Sequence, residues 1–154
     1  VLMLVFRRLS PSHRWPKLFV VVLVGLVVAG PVAAERLAFG EFYRETVRGL
    51  TFTPKLTQLA GQQVTVVGAM APPLKAVGNF FVLTKDPVSL SPFCNSDADW
   101  PADILVVYLK EATTFVQKNR PLAVTGRLEL GSYTDPATGF VSLVRLVDAE
   151  YREQ

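Results

Sequence analysis

The sequence predicts a mainly β protein: a five-stranded OB-like barrel with a short N-terminal helix and a small helical insert between strands 3 and 4. Five runs rich in β-branched and aromatic residues follow one another within residues 59–154. The first run contains Gly68, which predicts a bulge or a bend, and a weakly helical segment separates the third run from the fourth. This is the element order of an OB-type barrel. A five-stranded meander or an incomplete sandwich is the alternative.

Residues 1–34 predict a signal peptide. Basic residues as far as Lys17 precede an uncharged run, residues 18–30, which ends at Pro31 and small residues up to Ala34. That run is shorter than the roughly 18 to 20 residues that a membrane-spanning helix needs. We therefore expect cleavage after Ala34, a periplasmic location, and membrane contact only through the leader before cleavage. An uncleaved membrane anchor is the alternative.

The charge and histidine content exclude several classes of function. Residues 35–154 carry twelve Lys and Arg against thirteen Asp and Glu, so the basic character of the whole chain belongs to the leader. Nucleic acid is therefore not an expected partner. His13, the only histidine, also lies in the leader, which leaves no imidazole for a nucleophile–base pair or a His-rich zinc site. No catalytic set is recognisable, and we expect a protein that is not an enzyme.

The N-terminal segment, residues 35–58, precedes the OB-like domain, residues 59–154. Apolar residues between 37 and 50 recur at spacings of three and four and predict a short amphipathic helix, followed by an extended stretch to residue 59. The predicted strands cover residues 64–68, 80–84, 104–109, 122–130 and 140–149. Residues 111–119 form the predicted helical insert, and residues 135–139 form a turn.

The long loop between the second and third strands is the predicted place for a site, because loops held by a rigid scaffold commonly carry function. It contains the only cysteine, Cys94, together with Asp97, Asp99 and Asp103. A thiolate with carboxylates predicts a divalent metal site, although no cofactor is required by the sequence. The alternative is that the acids solvate a turn and that Cys94 is buried and inert.

Two further groups of residues are candidates for partner binding. Trp100, in the same loop, would provide an aromatic anchor. Pro72, Pro73 and Lys75 would form a rigid ledge after the first strand, or would simply end that strand. Five aromatic residues could also form a base-stacking face, although the charge of the body favours packing instead: Phe80, Phe93, Trp100, Tyr108 and Tyr133.

Three patterns support a resemblance over residues 59–151. They are Gly61-x-x-Val64-x-Val66-x-Gly68-x-Met70-x-Pro72-Pro73-Leu74, Phe80-Phe81-Val82-Leu83, and Pro121-Leu122-x-Val124-x-Gly126-x-Leu128. In these the chain resembles a family of small exported bacterial proteins of uncharacterised function, built as a periplasmic OB-like barrel. Members have a Cys-x-His and a proline run after the second strand, whereas this chain has Cys94-Asn95-Ser96 followed in the loop by only Pro101. Of that family motif, this chain therefore matches only the cysteine, Cys94.

Some members of that family resemble accessories of envelope transporters. The first hypothesis is accordingly a non-enzymatic periplasmic binding or accessory module that meets an envelope protein, a transporter component being one candidate partner. The alternative is a metal- or thiol-handling periplasmic protein centred on Cys94 and its neighbouring acids.

Overall fold

The computed structural model describes residues 33–47 and 49–154, and this part of the chain is mainly β. The predicted leader, except for its last two residues, lies outside the described residues. The strands are β1 (Glu35–Arg36), β2 (Tyr43–Thr46), β3 (Gly49–Phe52), β4 (Gln63–Met70), β5 (Val77–Thr84), β6 (Ile104–Thr114), β7 (Leu122–Thr134) and β8 (Val141–Glu153). The helical elements are α1 (Pro54–Leu59) and the 3-10 turns Phe39–Glu41 and Asp97–Asp99.

The predicted N-terminal helix is wrong. A 3-10 turn is followed there by the antiparallel β2–β3 hairpin, with Tyr43 opposite Phe52. Gly49 at the hairpin turn has a φ of +97°, which a helix does not allow, and the Thr46 hydroxyl donates to its carbonyl over 2.7 Å. The helix forms later, at α1, in a stretch predicted to be extended. The Thr53 hydroxyl oxygen accepts the Leu56 N–H there, and Pro54 occupies the first turn.

The five predicted strands are confirmed as β4 to β8, each longer than expected, but the helical insert is wrong. β6 continues to Thr114, and no helix lies between β6 and β7, a region that the structure describes in full. The β-branched Thr113 and Thr114 pair with the start of β5. Phe115 donates its N–H to the Ala76 carbonyl over 2.9 Å and buries its ring. Pairing with β5 therefore replaces the helical turn.

The strands form a six-stranded mixed sheet in the order β1-β4-β5-β6-β8-β7, in which β7 also pairs with β4. The β1–β4 and β6–β8 pairs are parallel and the others are antiparallel. β4 pairs with β7 as far as Gly68 and with β5 from Ala69 onward. The strand thus changes partner at the glycine for which the sequence predicts a bulge or bend.

Both faces of the β5–β6 pair are covered by apolar clusters. Successive strand residues point to opposite sides, so neighbouring residues enter different clusters. Phe81 and Val107 belong to the main apolar cluster, which collects side chains from β4 to β8, the N-terminal segment and α1. Val82 and Val106 belong to a second cluster on the other face. That second cluster consists of Ala71, Val82, Cys94, Ile104, Val106 and Phe140.

Candidate functional site

Three connecting segments meet over the second cluster: residues 71–76, residues 85–103 and the turn 135–140. The Val141 N–H donates to the Cys94 carbonyl over 2.8 Å, which ties the long loop to β8. The Lys75 ammonium donates to the Ala137 carbonyl over 3.3 Å, which ties the first segment to the turn. The two regions that the sequence singles out separately therefore lie on one side of the molecule.

Cys94 is part of the packing of this region. Its side chain is 2% exposed, and its thiol lies 3.6 Å from the Asp99 carbonyl oxygen, to which it donates. Burial, and secondarily the charge of Asp99, raises the pKa of the Cys94 thiol above its ordinary value. The thiol is therefore held in its protonated form, the opposite of a reactive or metal-binding thiolate.

The structure does not bring the four candidate metal ligands together. The Asp97 carboxylate accepts from the Ser132 hydroxyl over 2.6 Å, and the Asp99 carboxylate accepts from the Ser96 hydroxyl over 2.7 Å. Asp103 is exposed and uses its backbone carbonyl to accept the Lys85 N–H over 2.8 Å. In the described part of the chain no three His, Cys, Asp or Glu side chains form a group that could hold a metal ion. These acids shape the loop and attach it to β7.

Trp100 connects the long loop to the N-terminal segment. The half-buried indole packs against both apolar clusters, and its Nε1–H donates to the Tyr43 hydroxyl over 2.8 Å. Burial raises the pKa of Tyr43 to about 12, an effect that the Trp100 hydrogen bond partly opposes. Trp100 is therefore a structural link as well as a candidate anchor.

The ledge combines partial burial with one exposed cation. Pro72 and Pro73 are half-buried, the following Leu74 packs against the second cluster, and Lys75 is exposed. The two prolines end β4 at the point where the chain turns toward β5. Lys75 lies at the surface, where its ammonium donates to the Ala137 carbonyl of the turn.

An aromatic row crosses this side of the molecule from the long loop to β7. It consists of Phe93, Phe140, Phe80, Tyr108 and Tyr133. Successive ring centroids lie 5.7, 6.1, 5.4 and 6.0 Å apart. These distances are typical of favourable aromatic pairs. The structure thus brings together four of the five aromatic residues that the sequence groups, and Trp100 lies apart, on Tyr43.

Sequence reasoning missed Phe140, which joins the two halves of the row, and Arg145, which ends it. The Arg145 guanidinium lies 4.9 Å from the centre of the Tyr133 ring. Phe140 directly follows the predicted turn, and Arg145 is the only charge within the apolar run of residues 140–147. The sequence could have indicated Phe140 by its place directly after the turn, and Arg145 by its isolated charge in an apolar strand.

Polar contacts fix Tyr108, within the row, to the turn between β7 and β8. The Tyr108 hydroxyl donates to the Asp135 carboxylate over 3.3 Å, and burial, followed by the charge of Asp135, raises the Tyr108 pKa above its ordinary value. Asp135 also accepts both the backbone N–H and the hydroxyl of Thr138, at 2.9 and 2.8 Å. The neutral phenol of Tyr108 is thereby locked against the turn.

Arg145 lines a cavity of about 290 Å³ beside Tyr108 and Tyr133. The residue is 8% exposed; its guanidinium donates to the Gly131 carbonyl over 2.7 Å and to the Glu129 carboxylate over 3.2 Å. These hydrogen bonds offset the desolvation cost of burying the guanidinium and hold it rigidly. The cavity wall is therefore preorganised.

The long loop also carries exposed apolar side chains. Leu90 is 82% exposed and Phe93 is 52% exposed, and Val88 is also exposed. Cys94 and Trp100, farther along the loop, are packed into the protein. Apolar side chains on a loop that is anchored in this way are typical of an interaction surface.

Comparisons with known proteins bear on the fold. The fold is similar to that of a DUF3299 family protein from Pseudomonas aeruginosa PAO1, with 11% identity over 80% of this chain and 99% of that chain, and a TM-score of 0.52. This likeness shows the fold alone. No protein-family model matches the chain, and no curated protein matches it. No helix within the described ranges is both long and apolar enough to cross a membrane.

Proposed function

We propose that this chain is an exported, non-enzymatic binding or accessory module with an OB-like barrel, which works in the periplasm and meets an envelope protein partner. A component of a transport system is the candidate partner. The strand order supports the barrel: β4 pairs with β5, β5 with β6, β6 with β8, β8 with β7, and β7 with β4. When β4 to β8 are numbered 1 to 5 along the chain, they pair in the order 1-2-3-5-4-1. This is the strand order of an OB-type Greek-key barrel.

The segments around the second cluster correspond to the binding side of such a barrel. OB-type barrels bind through the face of their second and third strands and through the loops after strands 1 and 4. In this chain those strands are β5 and β6, and the loops are residues 71–76 and 135–140. The aromatic row crosses this face. The body of the chain carries no net positive charge, which favours a protein partner over nucleic acid.

The observation that carries the proposal is the exposure of Leu90 and Phe93 on an anchored loop. The loop is anchored at Cys94 and Trp100, so it loses less conformational entropy on binding than a free segment would, and aromatic anchors commonly dominate the energy of an interface. Phe93 also packs edge to face on Phe140, with 5.7 Å between ring centroids. A partner that covers Leu90 would therefore contact a surface continuous with the aromatic row.

A photocrosslinking amino acid at Leu90 or at Phe93 tests the proposal in intact cells that export the protein. We expect both positions to yield the same discrete crosslinked envelope protein. The matched control is Gln58, which is exposed on α1 and far along the chain from the loop. The proposal requires Gln58 to give no such product.

A second measurement separates recognition from folding. Leu90→Ser should abolish the product formed from position 93 while leaving the melting temperature unchanged, because Leu90 is exposed and packs in neither cluster. Equal crosslinking from all three positions, or an unchanged product in Leu90→Ser, would overturn the proposed surface.

A further inference from the structure

A groove runs along the exposed side of β4, and neither Leu90 nor Phe93 lines it. Two cavities of about 390 and 360 Å³ adjoin there, and both are lined by Val67 and Lys85. The first extends toward residues 117–121, and the second extends toward residues 36–41. We call these two cavities together the β4 groove.

The β4 groove is cationic. Arg36 lines one end, Lys85 the middle, and Lys118 and Arg120 the other end. Among the described residues, no acid lines the first cavity and one acid, Glu41, lines the second. Positive charge therefore predominates along its whole length.

Two of the acids at or near the groove, Glu41 and Glu153, are already paired. The Glu41 carboxylate accepts from the Lys55 ammonium over 2.8 Å, and this hydrogen bond, then one from the Ala38 N–H, lowers the Glu41 pKa. The Glu153 carboxylate lies 2.8 Å from the Lys118 ammonium. In the part of the chain that the structure describes, the side chains of Arg36 and Lys85 make no hydrogen bond or ion pair. Two cations in the groove thus lack a counter-charge.

The floor between these cations is apolar. Val67, at the centre, is 44% exposed although it lies within a strand. The exposed residues Pro87, Val88 and Pro121 line one side, and Leu37 and Phe39, which are at most 6% exposed, line the other. A floor of this kind would gain free energy by contact with an apolar ligand chain.

We propose that the β4 groove binds an anionic amphiphile, with a phosphate or carboxylate head at Lys85 and Arg36 and an apolar chain over Val67. A neutral lipid would cover Lys85 without neutralising it, which is unfavourable. A simple inorganic anion would leave the apolar floor in water. The combination of unpaired cations and an exposed apolar floor therefore selects a ligand with both properties.

Calorimetric titration of the purified protein with dodecyl phosphate, below its critical micelle concentration, tests this inference. We expect saturable binding, at least tenfold weaker binding of dodecyl maltoside, and at least tenfold weaker binding of inorganic phosphate. These two arms separate the contributions of the apolar chain and the anionic head. Amide chemical shifts should change at Val67 and Lys85 and not at Gln58, which lines neither cavity.

Variants decide whether the groove is the site. Arg36→Gln with Lys85→Gln should weaken dodecyl phosphate binding at least tenfold and leave the fold intact, because neither side chain makes a contact that the fold requires. The matched control is Arg44→Gln with Arg152→Gln, which removes the same charge from exposed positions that do not line the groove. We expect that pair to bind as the unaltered protein does.

Three outcomes would overturn the inference: equal loss in both double variants, no loss in either, or equal binding of dodecyl phosphate and either of the other two probes. Leu90 and Phe93, the positions used for photocrosslinking, do not line the groove and are unchanged in these variants. A protein that fails to bind dodecyl phosphate could therefore still give the crosslinked product. Absence of the crosslinked product would likewise leave the dodecyl phosphate result unaffected.

Discussion

The indole N–H of Trp100 donates a hydrogen bond to the hydroxyl of Tyr43 over 2.8 Å, across 57 residues of sequence. It joins the long loop after β5 to the first strand of the N-terminal hairpin. Both side chains also pack against the main apolar cluster. The loop and the hairpin therefore stabilise each other, and changes at either residue should affect both.

A double-mutant cycle with Tyr43→Phe and Trp100→Phe measures that link. Each single change removes one partner of the hydrogen bond and keeps an aromatic ring. We expect a coupling free energy of about 0.5 to 1.5 kcal/mol from urea unfolding, the usual range for one intramolecular hydrogen bond. Strictly additive single effects would contradict the link.

The stability of the protein should fall at alkaline pH. The Tyr43 pKa is raised from its ordinary value of 10.0 to about 12, so the unfolded chain releases this proton at lower pH than the folded one. The associated stability is fully present below about pH 10 and is lost as the pH rises toward 12. Urea unfolding between pH 8 and pH 11 checks this.

Tyr43→Phe should reduce the slope of that pH dependence without removing it, because the Tyr108 pKa is also raised. Tyr43→Phe with Tyr108→Phe should reduce the slope further. Identical slopes in the three proteins would show that neither phenol is responsible.

The strands could be predicted from the sequence because their β-branched and aromatic runs are strong local signals. The run that includes Val64 and Val66 becomes β4, and the one that includes Phe81 and Val82 becomes β5. The Cys94 region was correctly located as a long loop. The sequence could not show that this loop covers the second face of β5, because that contact is made between distant residues.

The helical predictions failed where tertiary contacts outweighed periodicity. Phe39, Phe42 and Tyr43 have helical spacing, yet their rings pack together through a 3-10 turn and a hairpin, with 5.1 Å between the first two ring centroids. The aromatic row was only partly predictable for the same reason. Phe140 reaches Phe80 across 60 residues through the β7–β8 turn, and no local pattern encodes that approach.

The Cys94 thiol should be unreactive in the folded protein. It is buried and its pKa is raised, so both access and thiolate content are low. We expect reaction with an aromatic disulfide reagent at pH 8 to be at least about a hundredfold slower in the native protein than in guanidinium chloride.

Ser89→Cys in a Cys94→Ala background is the control, since Ser89 is exposed in the same loop. That thiol should react at nearly the unfolded rate. If the native Cys94 reacts as fast as a cysteine at position 89, then the second cluster opens readily, and Cys94 regains its candidacy for thiol chemistry.

Gly68→Ala should destabilise the protein, because no side chain fits where β4 changes partner. A Cβ atom there would lie 2.5 Å from the Thr84 carbonyl oxygen and 3.0 Å from both Leu83 and Phe39 side-chain atoms. The backbone contact cannot be relieved by rotating a side chain, so β4 and β5 must separate. We expect a loss of about 1 to 3 kcal/mol in the free energy of unfolding, the usual cost of overpacking.

Gly40→Ala is the matched control for Gly68→Ala. A Cβ at Gly40 would meet no atom within 4 Å, and the backbone there does not require a positive φ. Because alanine also restricts the unfolded chain, this change should be neutral or should stabilise by up to about 1 kcal/mol. Urea unfolding of both variants separates the contact from the general effect of replacing glycine. Equal effects at the two positions would show that the close approach of β4 and β5 does not exclude a side chain at position 68.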